Sequence, residues 1–189
     1  MADLQQYPAK ICYTAAALLI VDKKVLFVKH KKLGFWLAPG GHVEPNELIH
    51  VAAERECFEE TGVKVKAFDL VSNIDSFNQQ STETEFVPTP ILTNLHWVCH
   101  ENYQARTKDP VHFQPKAPWL KGCEQHLNFL YLVRPLAGIA FTKDEEETDD
   151  IGWFSLNEVE ELETSDDIRF EVRRAFALLN ALPSSCIIK

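Results

Sequence analysis

The sequence predicts an α/β chain in which strands are interspersed with two main helices. Three observations carry that reading. Val25-Leu26-Phe27-Val28 and the run HLNFLYLV over 126–133 are short stretches of β-forming side chains. Residues 46–62 and 165–182 instead space their apolar side chains at helical intervals. Asp22-Lys23, Gly62 and Pro183 punctuate these stretches at turns or ends.

Taken in order, Ile11 to Val21 and Lys24 to His30 read as two strands joined at Asp22-Lys23. The first helix opens at Asn46 or Pro45, because Asn caps well and Pro suits a first turn. Gly62 closes it by accepting a left-handed backbone. Leu48, Val51, Ala52, Arg55 and Phe58 form its inward stripe. Residues 63–73 read as a further strand region, and Ile151 to Phe154 as a short strand. Leu156 to Val159 begins a brief helix. Ser165 caps a final helix to about Leu182, with Ile168, Val172, Ala175, Phe176 and Leu179 on one face.

The chain of 189 residues suits a single domain, 1–189. Residues 77–125 are its least regular part and hold Pro88, Pro90, Pro110, Pro115 and Pro118, although 92–103 has room for a strand. A loop of that length is expected to be functional or disordered. It reads either as an insertion over the active site that shapes substrate choice, or as a decorative hairpin. No apolar run is long enough to span a bilayer, and the start MADLQQYPAK has no signal-like character, so a cytoplasmic location and no membrane partner are expected. Five cysteines at irregular spacing argue for free thiols in a reducing compartment. The net charge of −9 argues against long nucleic acid as a partner, but not against a nucleotide whose phosphates are met by metal ions.

The segment from Gly41 to Val63, GHVEPNELIHVAAERECFEETGV, carries the chemistry. Glu56, Glu59 and Glu60 stand at i, i+3 and i+4, so their carboxylates project from one region of the helix, with Glu54 on the far side. Like charges so close repel, and a hard divalent cation converts that repulsion into coordination. Mg²⁺ suits such a site because it keeps waters and bridges carboxylates to phosphates. A merely solvated glutamate face is the alternative for an isolated run of this kind.

Gly41, Glu47, Arg55-Glu56, Glu59-Glu60 and Gly62 together resemble the signature of the Nudix (MutT-like) hydrolases, with no fixed position missing. Trp36-Leu37-Ala38-Pro39-Gly40-Gly41 leads into it as in many members. The resemblance implies an α/β/α sandwich with a mixed central sheet. It implies Mg²⁺-dependent cleavage (Mn²⁺ also serving) of a pyrophosphate bond in a nucleoside diphosphate linked to another moiety, an (oxidised) nucleoside triphosphate remaining open. By matching positions, Glu56, Glu59, Glu60 and the Gly41 carbonyl would hold metal. Arg55 would orient a glutamate, with Glu47 its partner, so that Glu47, Arg55, Glu56 and Glu59 form the catalytic group. A small-molecule nucleotide is the expected partner, and a homodimer is compatible with the family. A Nudix-fold module that senses a nucleotide without turnover is the alternative. An isomerase of the isopentenyl diphosphate type shares the fold, but its cysteine and extra ligands have no match here.

Other residues are open to two readings. Glu145, Glu146, Glu147 and Asp149 lie where a general base is expected, or form a solvated charge run. Lys31, with Lys29, His30 and Lys32, would meet substrate phosphates or serve solubility. Gly40 would let the backbone approach a phosphate, and Trp36 would stack on a base or pack. Asn78, Gln79 and Gln80 occupy the downstream positions at which some subfamilies carry a proline or tyrosine mark. His96, Cys99, His100, His112, Cys123 and His126 lie in or beside the insertion. Four of them could hold zinc, although their spacing matches no compact finger.

Overall fold

Asp22 and Lys23 both take left-handed backbone, with φ of 48° and 60°, the conformation that lets a two-residue turn follow the strand twist. The turn places β1 (Ile11–Val21) antiparallel to β2 (Lys24–His30) through Ile20↔Val25 and Val21↔Lys24. The computed structural model describes residues 8–70, 83–117, 119, 121–142, 146 and 148–181. β7 (Gln125–Pro135) runs parallel to β1 from Ile11↔Gln125 to Leu19↔Val133. Every other pairing among the described residues is antiparallel. β3 (Trp36–Leu37) and β8 (Thr148–Ser155) join β2, β4 (Gly40–His42) joins β1, and β5 (Val65–Ala67) and β6 (Leu92–Trp97) join β7. The mixed sheet is the one expected.

Helices cover both faces. Side chains of β1 alternate between them, as the two-residue period of a strand requires. Ala15, Ala17 and Leu19 pack with Tyr131 and Val133 against Ala52, Ala53 and Cys57 of α1 (Ile49–Thr61). Leu18 on the opposite face joins Val25, Phe27, Leu130 and Leu132 against Val172, Ala175 and Phe176 of α4 (Asp166–Ala181). Phe27 is fully buried, worth about 2–3 kcal/mol of apolar burial by itself. Two shorter helices lie among the described residues. α2 (His100–Lys108) follows β6, and α3 (Leu156–Glu161) opens on a reciprocal Ser155–Glu158 capping box.

Several expectations need correction. α1 begins at Ile49, with Leu48 at its cap, because Asn46 sits at φ 66° in a turn. That turn is closed by Glu47 N–H to the Glu44 carbonyl and Glu44 N–H to the Glu47 carboxylate. Gly62 ends the helix as expected, at φ 71° and donating to the Phe58 carbonyl. The inward stripe holds at Ala52 and differs elsewhere. Leu48, Val51 and Phe58 are exposed, while His50, Ala53, Cys57 and Glu60 face inward. Small side chains on α1 let it lie close to β1, a fit the larger apolar residues would prevent.

The expected strand over 63–73 shortens to Val65–Ala67, with its stretch from 71 outside the described residues. The segment 77–125 contains β6 and α2, so it is not wholly irregular, although 83–91 and 109–117 carry neither helix nor strand. Asn78, Gln79, Gln80, Glu145, Glu147 and Cys186 lie outside the described residues. The expectation of free thiols holds for Cys57 and Cys99. It fails for Cys12 and Cys123, which form a disulfide across 111 residues because β7 runs alongside β1. Among the described residues no helix is long and apolar enough to cross a membrane.

Candidate active site

The last turns of α1 and the β4 strand build one charged centre. Arg55 Nε and Nη2 donate to the two oxygens of Glu47 at 2.8 and 3.0 Å, a bidentate fork that fixes both planes. Its Nη1 donates to Glu56 at 2.9 Å and Glu59 at 2.8 Å. Nη2 also donates to the His42 carbonyl at 3.0 Å, tying the helix to β4. These bonds, first those from Arg55, hold the Glu47 carboxyl below its ordinary range. The hydrogen bonds that Arg55 donates to Glu47, Glu56 and Glu59 raise its own pKa further above the ordinary value. Arg55 is thus the organising group, and its bonds span the turn before α1, α1 itself and β4.

Glu60 is buried and accepts from Gly40 N–H at 3.2 Å. Gly40 and Gly41 permit a close approach that no other residue would. A Cβ at Gly40 would lie 2.6 Å from the Ala15 carbonyl oxygen, and one at Gly41 would overlap the Glu56 carboxylate. The structure therefore brings Glu47, Arg55, Glu56, Glu59, Glu60, Gly40 and Gly41 together. The nearby donors are carboxylate and carbonyl oxygens, a set that fits Mg²⁺ or Mn²⁺ and not a soft metal. Glu54 stays apart, accepting from Ala67 N–H at 2.9 Å.

Gly40 and Gly41 also form part of the wall of a cavity of about 420 Å³. Its floor is a polar patch of the sheet. Thr14, Asn128 and Asn94 stand in one row across β1, β7 and β6, and Cys12, His126 and His96 in the row beside it. Thr14 Oγ1 donates to Asn128 at 3.1 Å, and Asn94 Nδ2 donates to Glu171 of α4 at 2.7 Å. Burial, then the Asp167 charge, pushes the Glu171 carboxyl up to about 7. Burial also lowers His42 and His96, and pushes His126 down to about 4 with the help of those two rings. Trp97, Trp119 and Phe35 add aromatic surface to the cavity.

Thr14, Asn94, Asn128 and Glu171 are the residues that sequence reasoning missed. Their signal was present as polar side chains at inward positions. Asn128 interrupts HLNFLYLV, and Glu171 adjoins the stripe of Ile168, Val172 and Ala175. Lys31 and Trp36 do not line the cavity. Lys31 is exposed in the turn after β2. Trp36 packs edge-on against Phe154 with ring centroids 4.8 Å apart, and its carbonyl accepts from Thr164. Glu146 and Asp149 are exposed near the start of β8 and do not line the cavity either.

The zinc candidates scatter. Cys99 caps α2, His100 stacks on Trp97 at 4.2 Å, and His112 pairs with Asp109. Cys123 and His126 instead lie near His42.

A model of the NUDIX domain matches residues 12–176. The chain is 28% identical over 103 residues to an oxidized purine nucleoside triphosphate hydrolase of Danio rerio, covering 52% of this chain and 61% of that protein. It is 33% identical over 101 residues to a diphosphoinositol polyphosphate phosphohydrolase 3-beta of Bos taurus, covering 53% and 56%. The match thus spans little more than half the length of either relative. Among solved structures, a NUDIX-family hydrolase from Clostridium perfringens superposes with a TM-score of 0.65 at 21% identity, over 88% of this chain and 97% of that one. The last likeness shows the fold.

Proposed function

Because the chain belongs to the Nudix hydrolase family, whose enzymes act on pyrophosphate bonds, we propose that it cleaves, with Mg²⁺, a nucleoside diphosphate linked to another moiety, and that an oxidised nucleoside triphosphate is the first substrate to test. The observation that carries this reading is one arginine fork shared by three carboxylates beside a cavity walled by Gly40 and Gly41. A phosphate chain at that wall, with a nucleoside in the cavity, fits both halves. The Danio rerio relative supports the choice of substrate class by its name.

Glu56, Glu59, Glu60 and the Gly41 carbonyl would hold the cation. When bound, it would neutralise phosphate charge and make a coordinated water more acidic. The protein's own groups do the rest. Arg55 keeps Glu56 and Glu59 aimed and prevents their mutual repulsion from splaying them. Gly40 N–H fixes one oxygen of Glu60. The cavity floor offers amides to the edge of a base, and Glu171 changes from acceptor to donor when it takes up a proton. The aromatic rings offer stacking surface. Asn94, His96, Trp97, Val98 and Trp119, from the expected insertion, supply much of this wall and would set substrate choice.

The test is release of phosphate or pyrophosphate from a panel in Mg²⁺ or Mn²⁺. The panel holds canonical and oxidised nucleoside triphosphates, ADP-ribose, NADH, dinucleoside polyphosphates and nucleotide sugars. Turnover of oxidised nucleoside triphosphates is the expected result. Turnover of another class alone would move the substrate assignment, and silence across the panel with metal bound would overturn the enzymatic reading.

A further inference from the structure

Cys12, His42 and Cys123 converge at one end of the sheet. Their sulfurs and one imidazole nitrogen all lie within 4.8 Å of one another. His42 Nε2 is 3.2 Å from the Cys123 sulfur. None of the three belongs to the carboxylate centre by its side chain. Two sulfurs and an imidazole are the donors that zinc takes in tetrahedral sites, and they differ in kind from the oxygen donors around Arg55.

A second observation points to a ligand at this place. His126 stands opposite Cys12 in the β1–β7 register, and its ring meets that of His42 edge-on at 4.9 Å. Its Nε2 is buried with no hydrogen-bond partner. A buried polar nitrogen without a partner is costly and needs a reason. A metal, or a water on that metal, would supply one.

The surroundings hold the cluster rigidly. Glu124, next to Cys123, is fully buried and accepts from Arg106 at 2.5 and 2.9 Å and from Lys10 N–H at 2.8 Å. Glu124 N–H donates to the Lys10 carbonyl at 3.1 Å. The segments that carry Cys12 and Cys123 are therefore locked to each other, whether or not the sulfurs are bonded. His42 is placed independently, by pairing with Thr14 in the β1–β4 ladder. Three ligands from three separate segments arrive already oriented, which is what a structural metal site needs.

We propose that in their thiol form Cys12 and Cys123 bind one zinc ion together with His42, and that a water facing the His126 ring supplies the fourth donor. The ion would staple β1, β4 and the entry to β7 at the edge of the cavity. The bonded sulfurs of the present structure are the oxidised alternative. A phosphine reductant opens them: the disulfide, the phosphine and one water give two thiols and the phosphine oxide. Each thiol then releases its proton as it binds metal.

The full chain, stripped of metal and kept in a phosphine, is titrated with Co²⁺ and then Zn²⁺. The expected result is a thiolate-to-cobalt charge-transfer band with tetrahedral ligand-field bands, saturating at one ion per chain and abolished by one equivalent of Zn²⁺. Cys12→Ser and Cys123→Ser should each lose the band. His42→Gln, which keeps both thiols, should weaken zinc by roughly tenfold or more. A double Glu59→Gln, Glu60→Gln chain should keep the band while losing turnover, which separates this site from the proposed catalytic one. Absence of the band in the reduced parent chain would overturn the proposal. So would a band that survives both serine variants, since Cys57, Cys99 or Cys186 would then be its source. Circular dichroism of each variant confirms that a lost band is not a lost fold.

Discussion

Arg55 and Arg106 each lay a guanidinium against a glutamate carboxylate, and the two places differ in what surrounds the pair. Arg106 meets one carboxylate, Glu124, which is fully buried and also takes the Lys10 N–H. Burial works to raise Glu124, but Arg106 and the Lys10 N–H outweigh it and hold the carboxyl below its usual range. Charge is balanced there, and the pair fastens α2 to the β1 and β7 entries. Arg55 is shared by Glu47, Glu56 and Glu59, with Glu60 on the next turn. One positive charge among that many carboxylates leaves a local surplus of negative charge, which a divalent cation answers. Balance identifies the fastener, and surplus identifies the chemistry.

The largest effect should come from removing the surplus. Glu59→Gln with Glu60→Gln should cut turnover by about 10³-fold or more, equivalent to about 4 kcal/mol in the barrier. The folded state should survive. A variant that unfolds instead would place these residues with Glu124 as structural. The reverse is expected of Arg106→Ala, which leaves Glu124 buried and unpaired. Urea unfolding should show a loss of about 3 kcal/mol or more. Unchanged stability would break the comparison from its other side.

Glu171 sharpens it, as a carboxylate with an amide partner and no arginine against it among the contacts described. Its folded value is about 7 against 4.5 when unfolded. The folded state therefore binds the proton more tightly, and ionisation costs stability. The cost is absent below about pH 4.5, grows between 4.5 and 7, and is fully present above 7. Glu171→Gln should thus stabilise the chain at pH 8 by up to about 3 kcal/mol and change little at pH 4. Urea unfolding at both values reads the difference. The smallest effect is expected at Gly41→Ala. The added methyl would lie 2.7 Å from Glu56 Oε2, displacing that carboxylate. Turnover should fall by roughly tenfold with stability changed by only about 1 kcal/mol.

Local patterns in the sequence account for most of the frame. The short runs of β-forming side chains in β2 and β7 and the stripe of α4 are short-range signals, and the structure carries them as two strands with continuous buried stretches and one helix with a buried face. The carboxylate centre was legible for the same reason, since Glu47 to Glu60 all lie in α1 or just before it. The start of α1 was not, because Asn46 spends its capping ability on a left-handed turn. Its buried face was not, because Ala53 and Cys57 are small and His50 is polar. The cavity floor depends on the parallel β1–β7 register, which joins residues more than a hundred positions apart. No local period encodes that, so Cys12 beside Cys123 and Glu171 beside Asn94 emerge only from the fold.

The most direct measurement is product release from an oxidised nucleoside triphosphate as Mg²⁺ is titrated, for the parent chain and for the Glu59→Gln, Glu60→Gln double variant. Turnover that rises with Mg²⁺ in the parent and stays near background in the variant is the predicted result. Turnover that persists in a chelator, or in the variant at saturating Mg²⁺, would contradict the assignment of the charge surplus as the catalytic centre.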